Sequence, residues 1–303
     1  MKQFFFLLAL LFFSRGYACD ICGCSGSTNF LGILPLVQQN LAGVRFQYTK
    51  FNHPNTNDNF NGESQVFSDE YFHTEAWFRL NPAKRIQVFA FVPYKWNVRT
   101  ESERTTTIQG VGDVQLMGNY NIILPEDSST AVWKHFLRAG LSLRMPTGKY
   151  MQRDETKAML PTWFQVGTGS WGTGVNLFYT VRYKKLGLNL NAQYMHNSTN
   201  EMQYHFGNQT AISLMGFYWL DIKRSTFLPQ LGVGLDYFGE DESYGVPESS
   251  TGGSRFVATF GVDWYINRFL ISGFTQMPLA QNLPDAQPTF AARFGFSTSV
   301  FFN

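Results

Sequence analysis

Beyond its first residues the chain has no long apolar run. After an apolar stretch at 4–13, nothing approaches the ~20 consecutive apolar residues of a spanning helix, which excludes a helical membrane protein. Charge is scarce as well: Asp, Glu, Lys and Arg make up 15% of 303 residues, against about 25% in an average soluble domain. The formal net charge of +2 is small and scattered, so there is no basic footprint for a nucleic-acid partner. Cysteine is nearly missing, and Cys19, Cys22 and Cys24 all lie in one short stretch. No phosphate loop, dinucleotide fingerprint or His-Glu-x-x-His occurs, and no motif makes the chain read as an enzyme. What the chain has instead is aromatic residues, 17% of the total.

Those aromatics are arranged in a pattern. From Leu41 to Phe302 apolar and polar residues alternate, most plainly where Phe290, Ala292, Phe294, Phe296, Thr298, Val300 and Phe302 interleave with Thr289, Ala291, Arg293, Gly295, Ser297 and Ser299. Alternation at period two puts one set on each face of a strand. Strands are expected at about 41–51, 70–80, 85–98, 110–124, 133–146, 163–182, 185–196, 206–220, 227–239, 254–266, 268–277 and 289–302. The links between them largely alternate long and short, from the polar Thr100–Gln109 stretch to the tight Tyr183-Lys184-Lys185 and Ile266-Asn267 turns. Lys2, the apolar run and Gly16-Tyr17-Ala18 read as an export signal covering 1–18. Together these features predict an all-β fold: a transmembrane antiparallel barrel of about twelve strands over 41–303. Short turns would face the periplasm, long loops the outside, and the location would be the bacterial outer membrane among its lipids. A lipocalin-like barrel or a sandwich in an exported soluble protein is the alternative, and neither needs alternating loop lengths.

Register then sorts the side chains. Outward stripes are Ile86, Val88, Ala90, Val92, Tyr94 and Trp96; Phe256, Ala258, Phe260, Val262, Trp264 and Ile266; and Leu231, Val233, Leu235 and Tyr237. The opposite phase sends Glu75, Arg79, Lys95, Asp113, Lys134, Arg138, Arg144, Asp236, Arg255, Asp263 and Arg293 to the lumen. Two readings of this mixed, cation-rich set stay open. It is a path for a small polar or anionic solute or ion, or it is a salt-bridged filling of a narrow, closed barrel.

The N-terminal segment 19–40 carries the obvious chemistry. Thiolates at Cys19, Cys22 and Cys24 could converge on Cu(I) or Zn(II). A disulfide between two of them and lipidation of Cys19 are the competing readings. Residues 25–40 are apolar enough to plug the periplasmic end, to pack beneath it, or to meet a periplasmic partner. A remote enzymatic alternative is a phospholipase using His196 and Ser198 with Asn208 as orienter. An ordinary polar loop is the plain reading of the same residues.

Three segments carry a family likeness: Gly110-Val111-Gly112-Asp113, Pro146-Thr147-Gly148-Lys149 and Gly167-Thr168-Gly169-Ser170-Trp171. In this order they resemble the outer-membrane barrel family named for the meta-pathway of phenol degradation. The Cys-rich start with Gly32-Ile33-Leu34-Pro35 and Gly43-Val44-Arg45-Phe46 resembles a Bacteroidetes-type subgroup. The resemblance implies outer-membrane transport and supplies neither a cargo nor a catalytic residue. The role expected from the whole sequence is passage of a small solute, linked to metal or hydrophobic-compound handling, with a closed structural or metal-binding barrel as the alternative.

Overall fold

A computed structural model describes residues 39–53, 68–101, 104–125, 132–284 and 287–302. The strands are Asn40–Asn52 (β1), Ser68–Ala83 (β2), Ile86–Thr100 (β3), Thr105–Val111 (β4), Val114–Ile123 (β5), Trp133–Met145 (β6), Gly172–Tyr183 (β7), Leu186–Asn197 (β8) and Tyr204–His205 (β9). Gln209–Tyr218 (β10), Leu220–Ile222 (β11), Ser225–Phe238 (β12), Glu242–Ser243 (β13), Val246–Pro247 (β14), Gly253–Ile266 (β15), Phe269–Asn282 (β16) and Thr289–Phe302 (β17) follow.

Neighbours pair antiparallel around the wall, β1 with β17 and β10 with β12, so the sheet closes. β4 and β5 both pair with β3 and share one position, while β11 extends β10 along β12. The wall is therefore a closed antiparallel barrel of twelve strands. Closure leaves no free sheet edge, the condition for strands to cross lipid. β9, β13 and β14 form a small separate sheet above the long-loop end.

The outer face is a lipid-facing surface. Val92, Tyr94, Trp96, Leu231, Leu235, Phe260, Phe294 and Phe296 are all exposed. Phe294, Tyr48, Phe72 and Trp96 stand opposite one another on four neighbouring strands. Successive ring centroids in that row are 6.4, 5.2 and 5.7 Å apart, an aromatic girdle at the long-loop end. Phe296 lies mid-strand, 54% exposed. Phe296→Arg is expected to lower stability by about 2–4 kcal/mol when the barrel is unfolded from vesicles by urea. An unchanged midpoint would show that this face does not meet lipid.

Several expectations need correction. The fourth strand begins at Thr105, so most of the supposed Thr100–Gln109 loop is wall. It is interrupted at Gly112-Asp113, where a continuous run had been expected. The sixth strand begins at Gly172, because residues 163–171 belong to an inward loop containing a 3-10 turn, Thr162–Phe164. Phe290, expected outside, is 2% exposed: a register shift after Lys50 sets it opposite Phe51, on the inside.

Candidate functional site: the filled lumen and its inward loop

Inside the wall the side chains form three layers. At the long-loop end Phe51, Tyr71, Ile108, Leu160, Phe164, Val166, Val257 and Phe290 pack together. At the short-turn end Leu41, Trp77, Phe89, Phe91, Met117, Phe178, Leu270 and Phe301 do the same. Charged and amide groups occupy the region between.

Glu75, Arg79, Lys95, Asp113, Arg138, Arg144, Asp236, Arg255, Asp263 and Arg293 are all buried. Glu75 pairs with Arg45 across β1 and β2. Asp236 takes Arg255 Nη2 at 2.6 Å across β12 and β15. Asp263 accepts Gln230 Nε2 at 2.8 Å. Arg293 reaches Gln276 Oε1 at 3.1 Å and Thr49 Oγ1 at 3.2 Å. Arg138 donates to Asn121 Oδ1 at 2.7 Å. Arg79 gives two hydrogen bonds to the Gln39 carbonyl, 3.1 and 2.9 Å, holding the entry into β1. Lys134 is half-buried on the inward phase of β6. Arg45 and Arg99 escaped the sequence reading although period-two alternation marks both. Asp69 is in phase with Glu75 and Arg79 but precedes the strand expected at 70–80; β2 begins at Ser68.

The three segments behind the family likeness meet at one node. Asp113, in the break between β4 and β5, accepts Gly148 N at 2.9 Å, Thr168 N at 2.9 Å and Thr168 Oγ1 at 2.7 Å. Arg144 Nε stands 4.0 Å away. Gly148 and Gly167 touch backbone to backbone: a Cβ on Gly167 would lie 2.4 Å from Gly148 C. Asp113 thus works as an anchor, stapling both ends of the β6–β7 loop to the wall.

Between those ends the loop turns into the mouth. Leu160, Phe164 and Val166 are buried in the upper layer. Asn97 Nδ2 donates to Phe164 O at 2.7 Å. The Arg99 guanidinium lies 4.9 Å from the Phe164 ring centroid and gives Asp69 a two-pronged bond, 2.7 Å at each prong. On the outer limb, Asp154 is held below the usual carboxylate range, chiefly by the Thr156 hydroxyl, then by Ala158 N–H and Arg104.

Among the described residues, buried polar atoms without a hydrogen-bond partner occur on several strands and are densest on one wall. On β5 to β8 there are eight such inward atoms: Asn119 Nδ2 and Oδ1, Ser142 Oγ, Arg144 Nε and Nη1, Asn176 Nδ2, Asn191 Oδ1 and Gln193 Nε2. Asn119, Gly140, Asn176 and Gln193 form a single row across these strands. A buried polar group without a partner costs about 1–3 kcal/mol.

The residues of the hydrolase alternative are close, but their contacts are not those of a relay. His196 Nδ1 lies 2.9 Å from Asn208 Oδ1, while Ser198 Oγ accepts the Trp171 N–H at 3.0 Å. Among the described residues no three His, Cys, Asp or Glu side chains gather as a metal site. Cys19, Cys22 and Cys24, the expected export signal and residues 25–38 lie outside the described residues.

No protein-family model matches the chain, and neither does any curated protein. Its fold is similar to that of the COG4313 outer membrane channel from Pseudomonas putida F1, with TM-score 0.64, 16% identity and 88% of this chain aligned to 96% of that one. It is also similar to the beta domain of the Bordetella autotransporter BrkA, with TM-score 0.53, 10% identity and coverage of 88% and 100%. At such identities the likeness concerns the fold, which is that of bacterial outer-membrane barrels.

Proposed function

We propose that this barrel is a narrow channel of the bacterial outer membrane for a small, polar, anionic solute. The observation that carries the reading is the cluster of inward polar atoms on β5–β8 that have no partner among the described residues. Asn and Gln amides both donate and accept, as hydroxyls and water do. Arg144 gives Nη2 to Asn197 and stands 4.0 Å from Asp113, while its Nε and Nη1 make no hydrogen bond among the described residues and remain as donors for an anion. The charge around it supports an anion. Arg45, Arg79, Lys95, Arg99, Arg138, Arg144, Arg255 and Arg293 are buried in the barrel against Asp69, Glu75, Asp113, Asp236 and Asp263. The convergence of the three shared segments on Asp113 supports membership of the meta-pathway barrel family, as part of the same proposal. No catalytic step is assigned.

Reversal potentials across planar bilayers in a KCl gradient test it. Chloride is expected to outpace potassium, and Arg144→Gln is expected to reduce that preference. Cation selectivity would sink the anion reading. A second reading, a closed structural barrel, is favoured by the apolar layers at both ends of the lumen. Absence of any single-channel current would establish it in place of the channel.

A further inference from the structure

The short-turn end of the barrel is basic. Its tight turns carry Lys84-Arg85, Lys184-Lys185, Lys223-Arg224 and Arg268, every one exposed. None of these side chains has a carboxylate partner within the described residues. Asp221, the carboxylate beside them, is taken up by Trp219 Nε1 at 2.8 Å and Thr226 Oγ1 at 2.9 Å. The opposite end mixes both signs, Glu101, Asp154, Glu155, Glu201, Glu240 and Glu248 with Arg104, Lys149, Arg153 and Lys157, and there Arg104 pairs with Asp154.

Directly beside one basic turn the outer wall is notched. A groove of about 670 Å³ runs between Trp133, Tyr183, Leu186 and Leu188 on one side and Tyr218 and Leu231 on the other. Its floor is Gly216, which stands between Leu188 and Leu231 in the cross-strand row and has no side chain to fill the gap. A Cβ there would meet nothing closer than 3.6 Å. Lys184, in a left-handed turn at φ 52°, and Lys185 join β7 and β8, the strands that carry Tyr183, Leu186 and Leu188 on one side of the groove.

We infer that this groove and the Lys184-Lys185 turn form a binding site for one anionic phospholipid of the periplasmic leaflet. An acyl chain lies along the Gly216 floor and the phosphate meets the two ammonium groups. An apolar slot on a lipid-facing wall takes any acyl chain. The lysines at its foot, which have no carboxylate partner among the described residues, select the charged headgroup, since each cation near a membrane surface adds attraction for anionic lipid. Trp133 and Tyr183, 4.7 Å apart between ring centroids, sit at the level where aromatic rings meet headgroups. The inference rests on the placement in the membrane and is independent of whether the lumen conducts.

Native mass spectrometry of the full chain, released from detergent with added lipid, tests it. Phosphatidylglycerol is expected to be retained about tenfold more than phosphatidylcholine. Lys184→Asn with Lys185→Gln, which keeps a turn residue that tolerates positive φ, is expected to erase that preference. Gly216→Leu fills the groove at ordinary contact distance and is expected to reduce retention of both lipids. Equal retention of the two lipids by the wild-type chain would overturn the site. So would a preference that survives both lysine changes, or displacement of the lipid by inorganic phosphate alone. A heat-induced mobility shift on gels, unchanged between variants, certifies that each barrel is folded.

Discussion

Asp113→Ala is expected to free residues 146–171 from the barrel mouth and to raise single-channel conductance several-fold. The carboxylate receives three hydrogen bonds, two from backbone N–H groups, and binds both ends of the loop. Losing bonds to a buried charged acceptor, with Arg144 left without its nearest carboxylate, costs roughly 3–5 kcal/mol. That loss falls on loop docking more than on the barrel, because the wall is held by paired strands on every side. Trypsin provides an independent reading: cleavage after Lys149, Arg153 or Lys157 should accelerate in the variant. Asp113→Asn keeps one acceptor oxygen and should fall between wild type and Ala. Unchanged conductance together with unchanged cleavage would show that the loop is held by its apolar contacts alone.

Asp69→Ala is the second large effect, expected to cost about 3–5 kcal/mol in urea unfolding. Asp69 is fully buried and accepts Arg99 at 2.7 Å twice and His53 Nε2 at 2.9 Å. Truncation strands the Arg99 guanidinium under the Phe164 ring without a counter-charge. Adding Arg99→Met should recover most of the loss, since replacing both members of a buried pair by apolar groups is often near neutral. A double variant no more stable than the single one would mean that the pair contributes through its shape and its stacking on Phe164, and that charge compensation is secondary.

The sequence by itself determined the architecture. Period-two alternation from Leu41 to Phe302 dictates which side chains meet lipid, because a strand gives each residue only two faces and a closed wall leaves only two solvents. Glu75, Arg138, Asp236 and Arg255 were legible for that reason, and Arg45 and Arg99 would have been. The likeness among the Gly112-Asp113, Gly148 and Gly167 segments was also legible, but its cause was not. What only the tertiary structure decided is how the lumen is filled. Residues 163–171 have a strand-like composition, yet they bend inward because Asp113, in the wall break, bonds Thr168, 55 positions further along the chain. The register shift that turns Phe290 inward arises from its pairing with Phe51 at the far end of the chain. Partners, and therefore their absence among the described residues along β5–β8, are set by cross-strand register between distant segments. Alternation assigns a face; only closure of the sheet assigns a neighbour, and in this protein the neighbours decide what the lumen can hold.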